Sequence, residues 1–267
     1  MKKIFLPLMI ALMILTGCGV NQSENNVDGE RGVNKFVIGI DDEFAPIAFH
    51  NERGELVGFD IDLAKEAARR MGVVFEFKPI DWNKKREEIT SGNVDILWNG
   101  TDITEERKEY MIFSKPYMVN RQILLVKTDN DRGIFTEGDL EGKIVGTQAG
   151  SSSETYINSA DDLRKSFREF KTFLNFKEAF AALDGGEVDV LICDELAARY
   201  EMSKRPPKFE IVEVTIGAAC EIGIGFRKDD TELRDRVQKV FDEMLRDGTA
   251  RKISEHWFNA DLLKYKR

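Results

Sequence analysis

Residues 54–64 read GELVGFDIDLA, from Gly54 to Ala64, and their order of residue types sets the reading of the chain. Gly54 is a turn residue between two extended stretches. Gly58 ends the second stretch just before Asp60, whose carboxylate is expected to accept from the first unpaired amides of a helix. Ile61, Leu63, Ala64, Ala67, Ala68 and Met71 then give an apolar face, with Lys65, Glu66, Arg69 and Arg70 outside it. Gly72 is predicted to stop this helix in a left-handed conformation. The stretch is therefore strand, turn and capped helix.

Outward from it, Phe36, Ile38 and Ile40 alternate with other residues, and Val73 to Ile80 and Val94 to Trp98 give two more short strand patterns. Strands separated by helices imply a parallel sheet with helices on its faces. A second α/β unit is suggested by strands at Arg121–Lys127, Lys143–Gln148 and Val188–Cys193, with helices near Ser151–Asn158 and Asn175–Leu183. The chain then reads as one strand, Glu221–Arg227, and two helices, Thr231–Arg246 and Thr249–Trp257. Ligands of open parallel sheets sit beyond the carboxyl ends of the strands. Polar residues follow five of those ends: Asp41 to Phe44, Asp81-Trp82, Asn99 to Asp102, Gln148 to Ser153 and Asp194-Glu195.

Met1 to Cys18, MKKIFLPLMIALMILTGC, has the two lysines, apolar run and small residues of a secretory leader. The apolar run falls short of the about 20 residues of a bilayer span. Its LTGC ending resembles the lipobox of bacterial lipoproteins, so residues 1–17 are expected to be a lipoprotein signal peptide and Cys18 the lipidated amino terminus. Lipid there would anchor the protein to the cell membrane from outside the cytoplasm. Asn21 to Asn34 is polar and Asn-rich, so residues 18–33 are expected to be the lipidated Cys and a flexible tether. Net charge is −9, and removing Lys2 and Lys3 with the leader takes it to −11, which argues against nucleic acid as a partner. Cys193 and Cys220 would either bridge or serve as small buried apolar residues. His50 and His256 stand at no ligand spacing from a cysteine, so no metal site and no cofactor are expected.

Several blocks carry a resemblance: DDEFAPIAF from Asp41, GELVGFDIDLA from Gly54, NGTDITEERKEYMIFSKPY from Asn99 and VGTQAGSSSETY from Val145. CDELAARY from Cys193, RKDDTEL from Arg227 and RDGTARKISEHWF from Arg246 follow in order. In this series the chain resembles family 3 of the bacterial extracellular solute-binding proteins, most of all the histidine, lysine/arginine/ornithine and glutamine receptors of ABC importers. The resemblance implies an α/β, periplasmic-binding-protein-like type II fold: two α/β lobes, a hinge and a ligand cleft between them. Lobe one would comprise 34–117 plus 223–267 and lobe two 118–222, with crossings near 118–122 and 221–225. A membrane permease, and through it a cytosolic ATPase, would be the partners. The chain has no phosphate-binding loop pattern of its own.

A free amino acid brings one ammonium and one carboxylate, and each needs a partner once water is excluded. The resemblance places Arg107 at the carboxylate, where a guanidinium can give two parallel hydrogen bonds, and Asp194 at the ammonium from the opposite lobe. It makes Phe44 and Trp82 walls around the ligand side chain, the Gly100 carbonyl an acceptor for the ammonium, and the Ser152 amide a second donor to the carboxylate. Asp102 departs from the family, which has Ser or Thr there, and adds a second acid beside the ammonium. Asp41, Asn99 and Gln148 are left for the distal end. With acids at 41 and 102, a basic or amide side chain is expected (Arg, Lys, ornithine, His or Gln), and cystine is the alternative. No catalytic residue is expected; the rival is an enzyme on the same fold, such as a prephenate or arogenate dehydratase, with Asp41 or Glu43 as proton donor.

Overall fold

The computed structural model describes residues 34–204 and 208–264. The expected leader, the lipidation site Cys18 and the tether lie outside the described residues. The first part of the chain runs β1 (Lys35–Ile40), β2 (Glu43–Phe44), β3 (Ala48–His50), β4 (Leu56–Val57), α1 (Phe59–Met71), β5 (Val74–Pro79), α2 (Lys85–Thr90), β6 (Ile96–Leu97), α3 (Glu105–Tyr110) and β7 (Met111–Phe113). The second runs β8 (Met118–Lys127), β9 (Ile144–Gln148), α4 (Ser152–Ser159), α5 (Asp161–Ser166), β10 (Glu169–Phe173), α6 (Phe176–Gly185), β11 (Val190–Asp194), α7 (Glu195–Lys204) and β12 (Phe209–Ile222). β13 (Gly225–Arg227), α8 (Thr231–Arg246) and α9 (Thr249–Phe258) finish it.

Two lobes are built around two five-stranded sheets. The first has the order β5-β1-β6-β13-β7, and the second β10-β9-β11-β8-β12. β1 is parallel to β5 and β6, whereas β13 arrives from the far end of the chain and pairs antiparallel with β6 and β7. In the second sheet β10, β9 and β11 are parallel, and β8 is antiparallel to β11 and β12. The two strands that leave the second sheet toward the first pair with each other at their ends, Cys220 with Asn120 and Ile222 with Met118. β2, β3 and β4 form a small separate meander in front of α1.

The apolar face expected for α1 is the buried one: Ile61, Leu63, Ala64 and Ala67 are enclosed, and Gly72 ends the helix at φ 65°. On α8, Leu233, Val237, Val240, Phe241 and Met244 are buried at helical spacing. Each large side chain enclosed in this way contributes roughly 1.5–3 kcal/mol of transfer free energy.

Two local expectations are corrected. Asp60 is not the helix cap. Gly58 occupies that position with no side-chain bond, and Asp60 turns inward, fully buried, where it accepts the Gly100 amide at 2.6 Å and the Tyr117 hydroxyl at 2.9 Å. Nor is Glu221–Arg227 one strand. Ile222 ends β12 in the second sheet and Gly225 begins β13 in the first, because the chain must change sheets between them. Gly223 sits at that break, where a Cβ would come within 2.8 Å of Ile103. β10 had no counterpart in the sequence pattern, and of β12 only Glu221 and Ile222 fall within an expected strand.

Candidate functional site

Loops at the strand ends converge on one cavity between the lobes. It is lined by Asp41, Phe44, Trp82, Asn99, Gly100, Asp102 and Arg107 from the first lobe, and by Gln148, Ser151, Ser152 and Asp194 from the second. All ten positions singled out in the sequence meet there; Ser151 is the addition. The walls stand close, leaving about 10 Å³ of cavity, so a molecule of amino-acid size enters only when the lobes move apart.

Arg107 is placed by α3, whose Thr104 cap accepts the Arg107 amide at 3.2 Å. Although acids and a lysine surround it in sequence, its side chain is 3% exposed and donates to the Asp102 carbonyl at 3.1 Å and to the Gly150 carbonyl of the other lobe at 3.3 Å. Asp194 closes β11. Its Oδ1 accepts from Gln122 Nε2 at 2.8 Å and from Asn120 Nδ2, so two neutral amides of β8 hold the carboxyl in place. Gln122 is held in turn by the Ser153 hydroxyl.

Asp102 joins the lobes at the cavity, accepting the Ser152 hydroxyl at 2.5 Å through Oδ2 while its Oδ1 is buried without a hydrogen-bond partner. Burial raises its pKa, and Arg107 pulls in the opposite direction. Asp194 is pushed up to about 7, first by burial and then by the neighbouring Asp102 charge. Asp41, at the end of β1, accepts the Glu43 amide at 3.0 Å and Gln148 Nε2 at 2.5 Å, and burial pushes it up to about 6. Three carboxyls and one guanidinium thus line one small space. A cation placed among them would restore the ionised form of the acids.

Neutral groups complete the wall. Both side-chain amide atoms of Asn99 are buried without hydrogen-bond partners, which marks them as open to a ligand that both donates and accepts. Gly100 has φ 59°, and a Cβ there would lie 2.9 Å from the Phe44 ring, so the loop reaches the ring only as glycine. Phe44 also meets Phe176 of the other lobe at 5.3 Å between ring centres. Trp82 begins a single 3-10 turn capped by Asp81 and is 7% exposed.

Lys85, Asp60, Asn120 and Gln122 were not singled out as site residues. Lys85 lies in a run of charges, Lys84 to Glu88, that looks like a solvated helix start, yet it is 7% exposed and its ammonium donates to the Gly150 carbonyl at 2.7 Å. Burial and the neighbouring Arg107 lower its pKa to about 7. Nothing in the sequence pattern distinguishes it from Lys84. Cys193 and Cys220 are both free thiols, and burial raises the pKa of each.

A hinged pair of α/β lobes with a polar, acid-rich cavity at the strand ends defines a solute-binding protein. The profile of the bacterial extracellular solute-binding proteins, family 3, matches residues 36–260, and the chain belongs to that family. It is 30% identical over 237 residues to the L-cystine-binding protein TcyJ of Escherichia coli strain K12, covering 88% of this chain and 86% of that one. Among solved structures, an ABC uptake transporter substrate-binding protein of Streptococcus pneumoniae with bound histidine superposes with a TM-score of 0.81 at 32% identity, over 86% of this chain and 95% of that one. An ancestral arginine-binding protein bound to arginine gives a TM-score of 0.78 at 40% identity, over 84% and 98%.

Proposed function

We propose that the chain is the extracytoplasmic receptor of an amino-acid ABC importer, held at the membrane by lipid on Cys18, and that it grips a polar or basic L-amino acid between its lobes. The observation that carries this reading is that Arg107 of one lobe and Asp194 of the other line the same cavity, a guanidinium for the carboxylate and an acid for the ammonium. The lobes are taken as 34–117 plus 223–267 and 118–222, with the hinge at the two crossings near 118–122 and 221–225. Ligand bonds would replace those that now join the walls, Gln148 to Asp41 and Ser152 to Asp102, so that closing costs little unsatisfied polarity. Closure would present both lobes together to the permease, and the work of transport would come from its ATPase.

The charge of the site favours a cationic ligand. Asp41, Asp102 and Asp194 face the cavity with Arg107 as the cation among its lining residues, so an arginine, lysine or ornithine side chain brings the missing positive charge to Asp41 and Asn99. Cystine, the solute named for TcyJ, would bring a second carboxylate for which these lining residues supply no second cation. Calorimetry with the twenty common amino acids, ornithine and cystine, after unfolding and refolding to strip bound solute, tests the assignment; no heat with any of them defeats it. Formation of phenylpyruvate from prephenate would establish the enzymatic rival instead.

A further inference from the structure

Lys85 opens α2 in the first lobe and does not line the cavity, yet it is almost completely enclosed. Its ammonium lies 2.7 Å from the Gly150 carbonyl of the second lobe, 3.3 Å from the Trp82 carbonyl and 5.6 Å from the centre of the Trp82 indole. The same Gly150 oxygen accepts from Arg107, while the Gly150 amide donates to Glu154 at 2.5 Å. Gly150 of the second lobe is thereby held on both sides, its carbonyl by two basic side chains of the facing lobe and its amide by Glu154 of its own helix. The approach is close enough to demand glycine: φ is 72°, and a Cβ would lie 2.7 Å from Asn83 Cα and 3.0 Å from Lys85 Nζ.

We propose that Lys85 is a positioning residue for closure, whose bond to Gly150 sets how long the lobes stay shut on a bound amino acid. The proposal rests on the receptor reading above. When the lobes part, the ammonium and the carbonyl both return to water, so the bond exists only in the closed form and acts on dissociation rather than on encounter. It also relieves Arg107. Without Lys85, the guanidinium alone must serve the Gly150 carbonyl and the ligand carboxylate.

The test is stopped-flow binding and release of L-arginine, or of whichever other common amino acid, L-ornithine or L-cystine the wild type holds. Lys85→Met keeps the length and removes the donor. It is expected to raise koff about tenfold or more, as for a hydrogen bond to a charged group, with kon within about twofold and the thermal midpoint of ligand-free protein nearly unchanged. Gly150→Ala attacks the same contact from the other lobe and should also raise koff, and the double variant should lose less than the two single effects combined. Unchanged koff in Lys85→Met, or fully additive effects in the double variant, overturns the proposal. Should Lys85→Met fail to fold, Gly150→Ala decides, and wild-type koff in it is the overturning result. A wild type that binds none of the twenty common amino acids, ornithine or cystine sinks the receptor reading and this proposal with it, whereas a binding wild type with an indifferent Lys85→Met sinks the proposal alone.

Discussion

The Tyr117 hydroxyl lies 2.9 Å from both carboxylate oxygens of Asp60, and one of those oxygens accepts the Gly100 amide at 2.6 Å. A buried acid at the start of α1 therefore ties the loop that lines the cavity to Tyr117, the residue just before β8 enters the second lobe.

That acid makes a pH-dependent contribution whose sign is set by burial, which pushes Asp60 from 3.8 up to about 7. Between those values the folded protein keeps a proton that the unfolded chain has released, so the Asp60 contribution to stability falls as pH rises and levels off above about 7. Asp60→Asn cannot titrate. The stability of wild type minus that of Asp60→Asn is expected to shrink from about pH 4.5 to about pH 7.5, measured by urea unfolding at each pH. A difference that stays constant would show that Asp60 is ionised throughout.

Arg107→Ala removes a buried guanidinium that bridges the lobes and should abolish binding. Truncating one partner of a buried charge pair costs about 2–5 kcal/mol, so affinity should fall by more than about 30-fold while the circular dichroism of the fold persists. Calorimetry with the wild-type ligand checks it. Binding as tight as in the wild type would remove Arg107 from the carboxylate.

The parts of this architecture that the sequence declares are those in which one periodicity dominates. α1 and α8 each keep an apolar face at helical spacing, and those faces are the buried ones. β12 hides itself because its pairing with β8 breaks twice, between Val212 and Thr215 and between Ile216 and Cys220, so inward and outward residues lose their alternation. The cavity residues were legible through the order of the motif blocks, since strand ends bring distant loops together. Asp60 and Lys85 were not. An acid beside a helix start looks like a cap and a lysine among charges looks solvated, and only the packing of the Gly100 loop and of Gly150 against them gives them another role.

Asp102 stands beside Asp194 in a buried site and raises its pKa, so Asp102→Thr should let Asp194 ionise more readily and lower the total negative charge. A neutral amino acid gains from this and a cationic one loses a counter-charge. The ratio of L-arginine to L-glutamine affinity is expected to drop about tenfold, or ~1.4 kcal/mol, by calorimetry at fixed pH and salt. An unchanged ratio would free Asp102 from any part in charge selection.

Gly58 precedes α1 at φ 143°, and a Cβ there would fall 2.2 Å from the Ile47 carbonyl oxygen and 2.9 Å from Ala48 Cα. Both obstacles are backbone, and the Ile47 oxygen already accepts the Asp60 amide at 3.1 Å, so the meander before α1 and the helix start must separate if a methyl group is added. The strain of a left-sided φ for an L-residue adds to the clash. Gly58→Ala is therefore expected to destabilise the protein by about 2–4 kcal/mol in urea unfolding, well beyond an ordinary exposed glycine substitution. Gly54→Ala is the matched control: φ is 77° but nothing lies within 4 Å of the added atom, so the loss should stay near ~1 kcal/mol. Equal losses in the two variants would mean that the helix start has room to move away from Ile47.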